Sequence, residues 1–132
     1  MKMEHVALNV SDPVAMAAWY VKHLGFEIAR SIAGPPHTHF LRESSGAMMI
    51  EIYCNPEDQV PAYSKMDPLL LHVAFVSADP EKDKKALLAA GASFVEDHDL
   101  PDGSRLVMLR DPWGLPIQLC RRGKPMLRSA AG

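Results

Sequence analysis

Residues 3–13 read MEHVALNVSDP, and residues 70–80 read LLHVAFVSADP. His5-Val6-Ala7 recurs as His72-Val73-Ala74, and Asp12-Pro13 recurs as Asp79-Pro80, both displaced by 67 residues (72 − 5 and 79 − 12). Ile50-Glu51-Ile52 returns as Ile117-Gln118-Leu119 in the same register (118 − 51 = 67). Self-similarity at a fixed offset marks an internal duplication. Two copies imply two packed half-domains rather than a solenoid. The repeat carries polar residues inside apolar strands as well as the apolar frame, and that makes those polar residues the place to look for function.

Around the first copy, Val6, Leu8 and Val10 alternate with His5, Ala7 and Asn9, the period of a strand. Asp12-Pro13 then reads as a helix start, a capping side chain followed by proline at the first helical position. Val14, Ala17, Ala18, Val21 and Leu24 form an apolar stripe at helical spacing, closed by Gly25. Short strands are predicted near 26–32, 37–43 and 47–54, separated by Gly34-Pro35-Pro36 and Ser44-Ser45-Gly46. The first half is therefore β-α-β-β-β, a module covering about residues 3–54. A proline-containing connector, 55–68, has no sustained period. The second module, about 69–122, repeats the plan: a strand over 69–77, then a helix from Asp79-Pro80 with Ala86, Leu87 and Ala90 inward, stopped by Gly91. Strands follow near 93–98, 104–110 and 115–122. Residues 123–132 read as a frayed tail. The fold class is α+β: a single domain, 1–132, of two βαβββ modules related by a pseudo-twofold, their open faces curling into a barrel-like cleft.

Composition narrows the partners. A chain of 132 residues, 48% hydrophobic and 23% charged, has the make-up of a soluble domain with its own core. A formal net charge of −2 gives no electrostatic reason to expect nucleic acid or an anionic membrane as partner. No run is long enough to span a bilayer, the N-terminus is unlike a signal peptide, and Cys54 and Cys120 have no zinc or redox spacing. A cytoplasmic protein with reduced thiols is the expectation.

Each half puts one polar residue on its first strand and another on its last, 46 residues apart in both cases (51 − 5 and 118 − 72). If the halves pack about a pseudo-twofold, His5, Glu51, His72 and Gln118 converge. Two imidazoles, a carboxylate and a carboxamide suit borderline divalent metals: zinc, nickel, cobalt, manganese or iron(II). Water or substrate would fill the remaining positions and the metal would act as a Lewis acid. Taken singly, each residue has an ordinary reading. A strand histidine is usually a satisfied core or cleft residue, whereas Glu51, between Ile50 and Ile52, needs a partner to offset its burial.

These residues place the chain beside a known family. The HVAL strand, the helix ending in Leu24-Gly25-Phe26, the Ile50-Glu51 strand running to Asn55, the HVAF strand, and Asp111-Pro112-Trp113-Gly114 before Ile117 resemble the vicinal oxygen chelate superfamily. That superfamily holds glyoxalase I, extradiol dioxygenases, and fosfomycin and bleomycin resistance proteins. The chain is most similar to bacterial glyoxalase I. The resemblance implies metal ligands at His5, Glu51, His72 and Gln118, one divalent metal per site with zinc or nickel favoured, and a homodimer. It implies a metal-dependent lyase or isomerase acting on a small oxygen-chelating substrate, with Glu51 and Gln118 at the catalytic positions. The alternatives within the resemblance are a non-catalytic, bleomycin-resistance-type binding protein and an iron(II) extradiol-type dioxygenase. Two positions depart from the pattern. Gln118 stands where the family usually has glutamate, and a carboxamide can ligate through its oxygen but cannot take a proton at neutral pH. Asn9 stands where bacterial glyoxalase I has an arginine for glutathione. Asn9, Tyr53, Met108 and Cys120 are the candidate substrate-binding residues, with Phe40, Met49 and Trp113 as further apolar lining.

His37-x-His39-x3-Glu43 imitates part of a cupin metal motif, but neither the expected glycine before it nor a second motif is present. It reads as a rim or surface strand.

Overall fold

Asp12-Pro13 and Asp79-Pro80 start two helices, as their spacing predicts. In each, the aspartate side chain accepts a hydrogen bond from the backbone N–H three residues on, Ala15 and Lys82, both at 3.1 Å. Helix α1 spans Pro13–Leu24 and ends on Gly25 at φ 72°, a left-handed conformation that costs glycine little. Helix α2 spans Pro80–Ala89.

The computed structural model describes residues 1–128; part of the expected tail lies outside them. The chain divides into two compact units, Met1–Pro61 and a second starting at Ala62. In the first, β1 (His5–Asn9), α1, β2 (Glu27–Ser31), β3 (His39–Arg42) and β4 (Met49–Tyr53) form a four-stranded sheet in the order β1-β4-β3-β2. In the second, β5 (Val73–Val76), α2, β6 (Ser93–Asp99), β7 (Arg105–Arg110) and β8 (Pro116–Arg121) form a sheet in the order β5-β8-β7-β6. The first and last strands of each unit pair in parallel and the others antiparallel. Each unit is thus a βαβββ module. The duplication extends to register: Ala7 pairs with Glu51 and Ala74 with Gln118, each displaced by 67 (74 − 7 and 118 − 51).

Alternation decides what each sheet buries. Ile50, Ile52 and Leu41 in the first unit, and Ile117, Leu119, Val107 and Leu109 in the second, are buried on the helix side. Each fully buried aliphatic side chain of this kind contributes roughly 1.5–3 kcal/mol.

Each helix buries only part of the face that the sequence predicts. Val14, Ala18 and Val21 of the expected α1 stripe are exposed; its Ala17 is buried, and Pro13, Met16, Trp19 and Tyr20 turn inward with it. A helix covers one face only, and the larger apolar area of Met16, Trp19 and Tyr20 outweighs that of two valines. In α2, Leu87 and Pro80 are buried while Ala86 is exposed. Val6 shares its strand face with the buried Leu8 and Val10 but is 40% exposed. Helix α1 packs over β2, β3 and β4, so the early part of the edge strand β1 lies beyond its cover.

The strand expected over 69–77 is shorter, Val73–Val76. Asp67 folds the preceding residues into a turn, its side chain accepting from Leu69 N–H at 2.9 Å and its carbonyl from Leu70 N–H at 2.9 Å. His72 therefore sits just ahead of β5 rather than within it. Arg110 fastens the 3-10 turn Tyr63–Lys65 to its own unit, donating to the carbonyls of Tyr63 (2.7 Å), Met66 (2.8 Å) and Gly114 (3.1 Å).

Candidate metal centre

Parallel pairing of β1 with β4 puts His5, Ala7 and Asn9 on one sheet face with Met49, Glu51 and Tyr53. His5 and Glu51 meet there, with Nε2 3.2 Å from Glu51 Oε2. The other ring nitrogen, Nδ1, lies 3.0 Å from Glu4 Oε1. A carboxylate only accepts, so a proton on Nδ1 meets Glu4, and Nε2 meets Glu51 with either a second proton or its lone pair. Two acceptors at that distance repel unless a cation, a proton or a metal ion, lies between them. The Phe40 ring meets the imidazole edge-on, centroids 5.7 Å apart and planes at 87°, and fixes its orientation.

In the second unit His72 is held in the same way. Its Nδ1 lies 2.7 Å from the carbonyl of Pro68, which can only accept, so the proton sits on Nδ1 and Nε2 carries the lone pair. A histidine whose far nitrogen is fixed by a carboxylate or carbonyl is the usual arrangement of a metal ligand. Gln118 shares a face with Ala74, Met108 and, two residues on, Cys120. Its Oε1 accepts from Cys120 Sγ at 3.2 Å. The donor chemistry of both pairs, His5 with Glu51 and His72 with Gln118, fits a divalent metal. Among the described residues no group of three or more His, Cys, Asp or Glu side chains is gathered for one.

The other candidates fall as follows. The Asn9 carboxamide holds the chain leaving β4, accepting from Asn55 N–H at 2.8 Å and donating to the Asp58 carbonyl at 3.4 Å. Tyr53 is half-buried opposite Asn9. Met108 and Cys120 are buried. Burial pushes the Cys120 thiol up, against a smaller opposing pull from Arg122. Cys120 is 5% exposed and Cys54 is half-buried, so iodoacetamide near neutral pH will modify Cys54 at least ~10-fold faster, measured by mass spectrometry of the peptides.

The cupin-like motif dissolves in three dimensions. His37 lies outside β3 with φ 57°, and His39 Nδ1 is engaged by the His37 carbonyl at 2.7 Å. Glu43 is used by the β3–β4 turn, accepting from the Ser45 hydroxyl and from the N–H groups of Ser45 (2.8 Å) and Ala47 (2.9 Å). Slight burial raises its pKa, but these hydrogen bonds outweigh it and hold the carboxyl below its usual range. Asp111-Pro112-Trp113-Gly114 is likewise a self-bonded turn. Buried Asp111 Oδ1 accepts from Trp113 N–H (2.9 Å) and Leu115 N–H (3.0 Å). Sequence reasoning missed the acceptors Glu4 and Pro68. Adjacency to His5 could have signalled Glu4; the Pro68 carbonyl had no signal in side-chain identity.

Several solved structures share this fold. A glyoxalase family protein from Bacillus cereus superposes with a TM-score of 0.77 at 18% identity, covering 92% of this chain and 94% of that one. TnmS3, an antibiotic binding protein from Streptomyces sp. CB03234, gives 0.71 at 18% identity over 92% and 96%. The glyoxalase family protein from Enterococcus faecalis gives 0.67 at 31% identity over 89% and 95%. No curated protein matches the chain in sequence. Residues 2–119 match the Glyoxalase/Bleomycin resistance protein/Dioxygenase superfamily. With its duplicated βαβββ modules, the chain belongs to that superfamily.

Proposed function

We propose that the protein is a metal-dependent, glyoxalase I-like lyase or isomerase acting on a small substrate with neighbouring oxygens. The observation that carries this reading is the pair of imidazoles whose Nδ1 atoms face acceptors, Glu4 and the Pro68 carbonyl, an arrangement in which a neutral ring turns its Nε2 lone pair to a metal, beside Glu51 in the case of His5. His5, Glu51, His72 and Gln118 would be the ligands, zinc or nickel the favoured metals. When bound, the metal supplies Lewis acidity toward the substrate oxygens. Glu51 is the carboxylate of the set and the group able to hold or move a proton, at Oε1 or Oε2. Gln118 orients through its carbonyl oxygen and moves none. The reading includes a homodimer; the edge strands β1 and β5 offer apolar surface for it, Val6 at 40% and Val76 at 74% exposure.

A second reading, a small-molecule binding protein, is favoured by one observation. Gln118, the neutral counterpart of the family's glutamate, has its Oε1 engaged by the Cys120 thiol. The antibiotic-binding TnmS3 shows the same fold. Turnover of methylglyoxal with a thiol separates the two. In zinc- or nickel-loaded Gln118→Glu, restoring a base should raise the rate by about 100-fold over wild type. A rate unchanged from background in both proteins would exclude the lyase and leave the binding protein.

A further inference from the structure

The pairing of β2 with β3 skips a residue: Ile28 lies opposite Leu41, and Arg30, not Ala29, lies opposite Phe40. This is a β-bulge, and its effect is to switch faces. Strict alternation would send Arg30 to the helix side. The bulge instead puts Arg30 on the face of Phe40, and Phe40 pairs with Glu51, whose face also carries His5. Two strand spacings of about 4.8 Å place the Arg30 backbone roughly 10 Å from that of Glu51, with Phe40 between them. Arg42 on the same face is tied to Glu27 at 2.9 Å, whereas Arg30 is exposed and has no ion-pair partner among the described residues. The second unit keeps the bulge, between Phe94 and Glu96, yet carries a glutamate at the matching place opposite Met108. The fold therefore requires the bulge and not the arginine.

We propose that Arg30 is the specificity residue of the site, anchoring an anionic group, a carboxylate or phosphate, of the small molecule whose oxygens reach the His5–Glu51 end. The apolar or aromatic part of that molecule crosses Phe40. This names the ligand class and rests on the metal reading above. A guanidinium suits either oxyanion through paired N–H donors.

The test uses zinc-loaded protein and two probes, benzohydroxamate and 4-carboxybenzohydroxamate, by calorimetry. The carboxylated probe should bind wild type about 10-fold tighter. Arg30→Gln should abolish that preference and leave benzohydroxamate binding unchanged. Equal affinities in wild type, or a preference that survives in Arg30→Gln, would overturn the role of Arg30 while leaving the metal site standing. A second arm needs no metal: benzoate titrated into metal-free protein, followed by the Arg30 Nε–H signal in NMR. If wild type takes up no zinc, the metal reading fails and this arm decides alone. A saturable shift of that signal supports the anchor, and none refutes it.

Discussion

His5→Ala/His72→Ala will fail to take up the divalent metal proposed for the wild-type protein. Protein purified without a metal-affinity tag and incubated with zinc or nickel should hold about one equivalent per chain, and the double variant close to none. Metal ligation needs a neutral imidazole with a free lone pair, and both rings have Nδ1 fixed, by Glu4 at 3.0 Å and by the Pro68 carbonyl at 2.7 Å. The donors left at Nε2 are the ones the substitution removes. Glu51 then faces no imidazole, and a carboxylate with a carboxamide binds these metals poorly. A graded intermediate checks the mechanism: Glu4→Ala keeps every ligand but frees the His5 ring, and should weaken zinc about 10-fold or more. Elemental analysis reads the stoichiometry and calorimetry the affinity. Equal metal content in wild type and the double variant would remove both histidines from the ligand set.

Gly114→Ala will destabilise the fold by about 3 kcal/mol or more, against about 1 kcal/mol for Gly25→Ala. Both glycines have positive φ, 89° and 72°, so both substitutions strain the backbone. They differ in surroundings. A Cβ on Gly114 would lie 2.6 Å from the Ser64 backbone nitrogen and Cβ and 2.7 Å from its Cα, whereas one on Gly25 meets nothing within 4 Å. Ser64 cannot swing aside cheaply, because its turn is fastened by Arg110 through Tyr63 and Met66. Urea unfolding followed by circular dichroism gives both values. Similar losses for the two variants would show that the 63–66 turn yields, and that Arg110 does not hold it.

The sequence by itself determined what depends on local pattern. A 67-residue repeat, two-residue alternation and two Asp-Pro helix starts were enough for two βαβββ modules, and the strand pairings keep the repeat register at Ala7–Glu51 and Ala74–Gln118. The match of residues 2–119 shows the superfamily that the repeated HVA strands and the Asp-Pro-Trp-Gly turn suggested. Tertiary structure decided the rest. Spacing could not tell which face of α1 is buried, because valines and the larger Met16 and Tyr20 compete for one contact surface and burial area settles it. Nor could it foresee that Asp67 would shorten β5 and leave His72 to the Pro68 carbonyl, since backbone acceptors carry no side-chain signature. Arg30 shows the limit most clearly. Alternation assigns it to the helix side, and a single unpaired residue in β2, stabilised by pairing with a strand eight or more positions away, turns it to the face of Glu51.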